Sequence, residues 1–86
     1  MLITIQDIHS KFDDLCQGRE SRESVAEFAR RAMSANDIGL LERSKDNNDV
    51  IWRSILYLSG VDLKEYPGNY IHSLFDFEEA RINLGV

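Results

Sequence analysis

Side chains that could perform acid–base chemistry meet near the end of the chain. His72 is followed by three carboxylates, Asp76, Glu78 and Glu79. A histidine beside a carboxylate can move protons, but catalysis also needs a nucleophile and a pocket, and the sequence indicates neither. The adjacent Ser73 is better explained as the cap of a helix. Neighbouring residues on a helix point about 100° apart, so Glu78 and Glu79 do not form a carboxylate dyad.

Two further groups contain side chains that can bind metal ions. His9, Asp13 and Cys16 would share one side of a first helix, but their spacing matches no known ligand pattern. Cys16 falls in an apolar stripe, which predicts a buried structural thiol. His9 is expected to be a solvated residue at the edge of this helix. Residues 46–49 offer oxygen donors, yet they lack the Gly and the terminal Glu of a calcium loop. We therefore expect no catalytic residue, no metal and no cofactor, and we expect that the chain is not an enzyme.

Aromatic residues surround the one tight turn that the sequence specifies clearly. Tyr66 and Tyr70 flank Pro67-Gly68, where proline fixes φ and glycine can take a positive φ. Tyrosine is enriched at interface hot spots because it brings a large contact area at low entropic cost. The segment 60–73 therefore reads as a shaped binding surface, although one of the two tyrosines could instead pack onto the core. The acidic pair 78–79 follows this segment and could extend the contact surface.

Four helical segments must position these side chains. The first has a capping box at its start and Gly18 as its stop, with apolar residues at steps of three and four (Ile5, Ile8, Phe12, Leu15). The second begins after Ser21 and ends between Met33 and Asn36. The third, Asp49–Ser59, is the most hydrophobic, and its predicted core arc is Ile51, Trp52, Ile55, Leu56 and Leu58, with Val50, Arg53 and Tyr57 facing away. The fourth is capped either by Ser73 with Asp76 or by Asp76 with Glu79, and it ends at Gly85.

The connections between these helices are short. Residues 38–41 form an apolar patch that could be another helical turn or a loop on the core, and Ser44–Asp49 reads as a mobile loop. The sequence predicts an all-α fold, a compact bundle of three to four helices with short connections, in a single domain over residues 1–86.

Charge and composition limit the partners that we expect. The formal net charge is −5, and the ten Lys and Arg residues are scattered, which disfavours a phosphate backbone and suits a basic protein partner. We therefore expect no nucleic-acid partner. The start of the chain lacks the basic region of a signal peptide, and its longest apolar run (residues 55–58) is too short to cross a bilayer. We expect a cytoplasmic protein with no membrane partner.

One stretch resembles a known family. The residues Gly60-Val61-Asp62-Leu63-Lys64-Glu65-Tyr66-Pro67 are similar to the Asp-Leu-x-x-Tyr-Pro stretch of the nuclease-colicin immunity family, whose four-helix domains bind and block a DNase. The resemblance implies that Asp62 and Tyr66 engage a toxin. With the tyrosine turn and the acidic residues, it yields one set of candidate partner-binding residues: Asp62, Glu65, Tyr66, Tyr70, Glu78 and Glu79.

Two hypotheses follow. The first is a bacterial immunity protein, a stoichiometric inhibitor that neutralises a toxin by binding a basic toxin domain. The alternative is a self-associating helical adaptor or regulatory protein without enzymatic activity, which could form a homodimer. The apolar residues at 38–41, with Val50 and Tyr57, support the alternative because exposed apolar area often marks an interface.

Overall fold

Four α-helices make up most of the chain in the computed structural model, which describes all 86 residues. Helix α1 spans Ile5–Cys16, α2 spans Arg22–Asp37, α3 spans Asn48–Leu58 and α4 spans Leu74–Leu84. None of these helices combines the length and the apolar character needed to span a lipid bilayer.

Two pairs of short strands accompany the helices. Strand β1 (Leu2–Ile3) pairs in parallel with β2 (Glu42–Arg43), and β3 (Lys64–Tyr66) pairs antiparallel with β4 (Asn69–Tyr70). A 3₁₀ turn, Lys45–Asn47, leads from β2 into α3. The fold is therefore mostly helical with two small sheets, which confirms the helical prediction but corrects the expectation of a purely all-α bundle.

Local capping chemistry sets the helix boundaries where the sequence places it. At α1, the Thr4 hydroxyl accepts from the Asp7 backbone N–H while the Asp7 carboxylate accepts from the Thr4 N–H. Ser73 and Asp76 form the same reciprocal cap at α4, which decides between the two caps that the sequence allowed. Gly85 ends α4 with a φ of 79°, a left-handed conformation that glycine adopts without strain.

Two boundaries differ from the prediction. Helix α2 continues to Asp37, and the apolar patch after it (residues 38–41) begins with a turn and is not a helix. The Ile38 and Leu40 side chains of this patch are exposed. Helix α3 begins at Asn48, inside the segment predicted as a mobile loop. The 3₁₀ turn at Lys45–Asn47 joins directly onto α3, so most of this polar segment has helical conformation.

The buried face of α3 is rotated relative to the predicted face. Leu56, expected in the core, is exposed, whereas Tyr57 is half-buried, with its ring stacked on Phe12 at a centroid distance of 6.0 Å. Ser54 lies on the observed buried face and is fully buried, which it can be without an unpaired polar group because its hydroxyl donates to the Val50 carbonyl oxygen at 2.7 Å. Ser54 thus belongs to the buried face of α3, although a prediction from hydrophobicity alone excludes it.

The core is one cluster to which all four helices contribute. Its largest fully buried side chains include Phe12 from α1, Ile51 from α3 and Phe77 from α4, packed against the alanine-rich face of α2. The complete set is Ile3, Ile8, Phe12, Leu15, Val25, Ala26, Ala29, Ala32, Ile51, Ile55, Leu58, Val61 and Phe77. The short alanine side chains let α2 approach its neighbours closely.

The groups considered for metal binding lie at the surface and the core edge of α1. His9 is exposed, as expected. Cys16 is only half-buried, which corrects the expectation of a buried thiol, and desolvation raises the pKa of this thiol. It lies in the last turn of α1, where the apolar stripe reaches the edge of the core.

Candidate functional site

The segment that the sequence singles out folds as a β-hairpin. Strands β3 and β4 are joined by Pro67-Gly68, and Gly68 has the predicted positive φ, 81°. Lys64 lies opposite Tyr70, and Tyr66 lies opposite Asn69, with an irregularity in the register between them. The sequence contained a signal for this hairpin, because tyrosine favours strands and Pro-Gly between two such residues favours a turn.

Arg22, in the first turn of α2, holds the hairpin in place. Its guanidinium lies 4.2 Å from the centroid of the Tyr70 ring and 4.9 Å from that of Phe77, and it donates to the His72 carbonyl oxygen. The Tyr70 hydroxyl donates to the Glu23 carboxylate, a hydrogen bond that raises the pKa of Tyr70 and lowers that of Glu23. Strand β4 is therefore fastened to the N-terminus of α2.

Asp62 fixes the segment before the hairpin to the same helix. Its two carboxylate oxygens accept from the Arg30 guanidinium at 3.2 and 2.9 Å, a bidentate pair. The hydrogen bond from Arg30 lowers the pKa of Asp62, whose side chain is only 16% exposed. The predicted role of Asp62 as a partner contact therefore competes with a structural role within the chain.

The remaining candidate residues lie on two elements. Glu65 and Tyr66 project from β3, and the Tyr66 side chain is 59% exposed. Glu78 and Glu79 are exposed on α4, and Glu79 lines a shallow depression together with Tyr57 and His72. We name the surface formed by the two hairpin strands the hairpin face; its residues are Lys64, Glu65, Tyr66, Asn69 and Tyr70. Partner binding by all six candidate residues stays a prediction.

The groups that suggested acid–base chemistry are engaged in structural contacts. His72 Nδ1 lies 3.9 Å from an Asp76 carboxylate oxygen, but that oxygen also caps the start of α4. The Tyr57 hydroxyl donates to the Asp76 carbonyl oxygen at 3.4 Å, and burial raises the pKa of Tyr57 to about 12. This hydroxyl therefore remains protonated at neutral pH and acts as a hydrogen-bond donor.

Ion pairing determines which basic residues could meet an anionic ligand. Six of the ten Lys and Arg residues have a carboxylate within 4.0 Å: Lys11, Arg19, Arg30, Arg31, Arg53 and Arg81. The other four are Arg22 and Lys64, which lie at Tyr70, and Arg43 and Lys45, which lie just before α3. The sequence offered no signal for Arg22, because its contacts lie about fifty residues away along the chain.

Comparisons with known proteins give a relationship over almost the whole chain. The family model that matches residues 3–82 is described as YxzC DNA-binding protein. The Bacillus subtilis (strain 168) protein described as uncharacterized protein YxzC is 29% identical over 70 residues, which cover 81% of this chain and 52% of that protein. The chain thus spans about half the length of this curated relative. No solved structure matches the chain significantly.

These findings overturn two expectations from the sequence. The resemblance to nuclease-colicin immunity proteins rested on eight residues, Gly60 to Pro67, whereas the family match covers α1, α2, α3 and both hairpin strands completely and all but the last two residues of α4. The immunity function is therefore wrong. The expectation of no nucleic-acid partner is also wrong, because it used the net charge of the whole chain, and binding depends on the local arrangement of charge. The chain belongs to the YxzC DNA-binding protein family.

Proposed function

We propose that this chain binds DNA, and that it does so through the hairpin face. The family description supports DNA as the ligand. The hairpin supplies the surface, because β3 and the hairpin tip expose a lysine, an aromatic ring and an amide close together (Lys64, Tyr66 and Asn69). The observation that carries the assignment is Lys64, an exposed lysine on this hairpin with no carboxylate within 4.0 Å.

The side chains around Lys64 suit a contact to nucleic acid. The Lys64 ammonium can neutralise a phosphate, and the exposed amide of Asn69 at the hairpin tip can donate to and accept from base edges. Two nearby carboxylates are already engaged, because Glu23 accepts from Tyr70 and Asp62 accepts from Arg30. The Arg30 guanidinium compensates the charge of Asp62, which reduces repulsion of the DNA backbone, whereas Glu23 stays negative because its partner hydroxyl is neutral.

Binding without catalysis completes the proposal. The hydroxyl of Ser73 caps α4, and the Asp76 carboxylate next to His72 accepts from the Ser73 N–H. Ser73 and Asp76 therefore have a structural role as the cap of α4, which supports a binding module and not an enzyme.

Charge reversal of a single lysine tests the hairpin assignment. We expect Lys64→Glu to weaken binding to a mixed pool of fluorescent oligonucleotides by about tenfold, since one reversed charge costs on the order of 1.4 kcal/mol at a phosphate contact. Lys45→Glu is the matched control, because Lys45 is also exposed and also lacks a carboxylate partner but lies outside the hairpin. We expect it to change the affinity by less than about twofold.

Salt titration adds a second measurement. If Lys64 contacts one phosphate, Lys64→Ala should reduce the slope of log affinity against log salt by roughly 0.7 to 0.9. An unchanged slope would overturn the hairpin assignment. A larger effect of Lys45→Glu than of Lys64→Glu would also overturn it and would place the interface before α3. If the protein binds neither single-stranded nor duplex oligonucleotides at low salt, the proposal of DNA binding itself is wrong.

A further inference from the structure

We infer that the hairpin face takes DNA whose bases are unpaired, so that the ligand is single-stranded DNA and not an intact duplex. This inference rests on the proposed function and names its substrate class. It depends on two observations, the small supply of free positive charge and the exposure of the Tyr66 ring on the same strand as Lys64.

Free positive charge at the hairpin face is limited to one side chain. The Arg22 guanidinium donates to the His72 carbonyl oxygen and lies against the Tyr70 and Phe77 rings, so it is half-buried and already engaged. Lys64 remains, on a chain with a formal charge of −5. Duplex affinity comes largely from neutralising many phosphates, and this surface offers few such contacts.

Aromatic rings provide a different source of affinity. Tyr66 is 59% exposed, and the aliphatic side chains of Leu63 and Ile71 are also exposed at the two ends of the hairpin, where the Ile71 N–H donates to the Leu63 carbonyl oxygen. Successive bases of a single strand stack on such rings, each adding an appreciable share of the affinity whatever the base. In a duplex the faces of the bases are covered by their neighbours and cannot reach a ring on the protein.

The hairpin makes Tyr66, and not Tyr70, the stacking platform. The Tyr70 ring is approached by the Arg22 guanidinium at 4.2 Å and by the Lys64 ammonium at 5.1 Å, so cations occupy the space over it. Tyr66 has no such neighbour, while its backbone is held in the hairpin opposite Asn69. A ring on a fixed backbone loses little conformational entropy when a base stacks on it.

The test compares one labelled 20-nucleotide strand with its own duplex by fluorescence anisotropy. We expect tighter binding of the single strand, and we expect Tyr66→Ala to weaken that binding by at least about fivefold while leaving duplex binding unchanged. Tyr66→Trp, which keeps an aromatic face, should retain the single-strand affinity. Leu63→Ala is the matched control, because Leu63 is exposed to a similar extent but has no ring.

The outcomes separate this inference from the proposed function. Equal binding of strand and duplex, or equal weakening of both by Tyr66→Ala, would overturn the single-strand preference and leave DNA binding intact. A loss with Leu63→Ala as large as that with Tyr66→Ala would show apolar burial in place of stacking and would also overturn the inference. Binding to neither form would overturn the proposed function.

Discussion

Two arginines on α2 determine where the hairpin lies. Arg22 contacts Tyr70 of β4, and Arg30, two turns further along the helix, binds Asp62 before β3. Arg30 also donates to the Ser59 carbonyl oxygen at the end of α3, at 3.2 Å. Both ends of the hairpin are thus attached to the same helix, α2. This attachment suits a surface that must present Lys64 and Tyr66 in a fixed orientation.

The Asp62–Arg30 pair gives the molecule a specific acid sensitivity. Since the pKa of Asp62 is lowered from its ordinary 3.8, the stabilisation is present above that value and is lost as pH falls through the lower value of the folded state. We expect the melting temperature of the wild-type protein to fall more steeply below pH 4 than that of Asp62→Asn. Circular dichroism melts at several pH values check this, and parallel curves for the two proteins would contradict it.

At the scale of elements, the turn of the hairpin carries a conformational requirement. Gly68 has a φ of 81°, and no atom lies within 4 Å of where a Cβ would be placed, so an added side chain costs backbone strain and no clash. The exposed Pro67 precedes it and fixes the other half of the turn. The position of the Tyr66 and Asn69 side chains therefore depends on this one glycine.

We expect Gly68→Ala to destabilise the hairpin by about 1–2 kcal/mol, because an L-residue in the left-handed region places Cβ near the carbonyl oxygen. Gly68→Asn is the matched control, since asparagine tolerates this conformation better. Amide hydrogen exchange at Ile71 measures the local stability, because the Ile71 N–H donates to the Leu63 carbonyl oxygen beside the hairpin. Equal exchange rates in the two variants would contradict the strain argument.

The sequence predicts those features of the elements that depend on nearby residues. The caps at Thr4 and Ser73 and the glycine turns involve partners three or four positions away, so their chemistry is legible in the sequence. The β1–β2 pair and the Arg22 contacts join distant positions, and no local pattern encodes them. The rotation of α3 escaped prediction for another reason, because a buried serine reads as polar until its hydrogen-bond partner is known.

At the scale of the whole molecule, the net charge led to the wrong prediction that the chain has no nucleic-acid partner. The fifteen acidic residues outnumber the ten basic ones, yet six of the basic residues form ion pairs with carboxylates within the protein. What a ligand meets is therefore the local surface left after these pairs are made. The same reasoning limits the electrostatic contribution to DNA binding, which is why the proposed interface depends on the hairpin and on the exposed Tyr66 ring.

The parallel pairing of β1 with β2 has a consequence for the order in which the chain folds. Leu2 pairs with Glu42 and Ile3 with Arg43, so the pair closes a loop of forty positions that contains all of α1 and α2. Closing a loop of this length costs entropy that is recovered only when the enclosed helices are packed together. The hairpin, by contrast, joins neighbouring residues and can form locally. The transition state for folding should therefore contain packed helices while the first strand is still unattached.

Kinetic measurements on a pair of variants test this order. Ile3→Val, at a fully buried site, should cost about 1 kcal/mol and act almost entirely by speeding unfolding, with a φ-value near 0. Ala29→Gly in the middle of α2, of roughly similar cost, should instead slow folding. A φ-value near 1 at Ile3 would reverse the order. If the expected order holds, β1 is the last element to pair during folding and the first to detach during unfolding. Its pairing with β2 then determines the unfolding rate, and so the lifetime of the folded state.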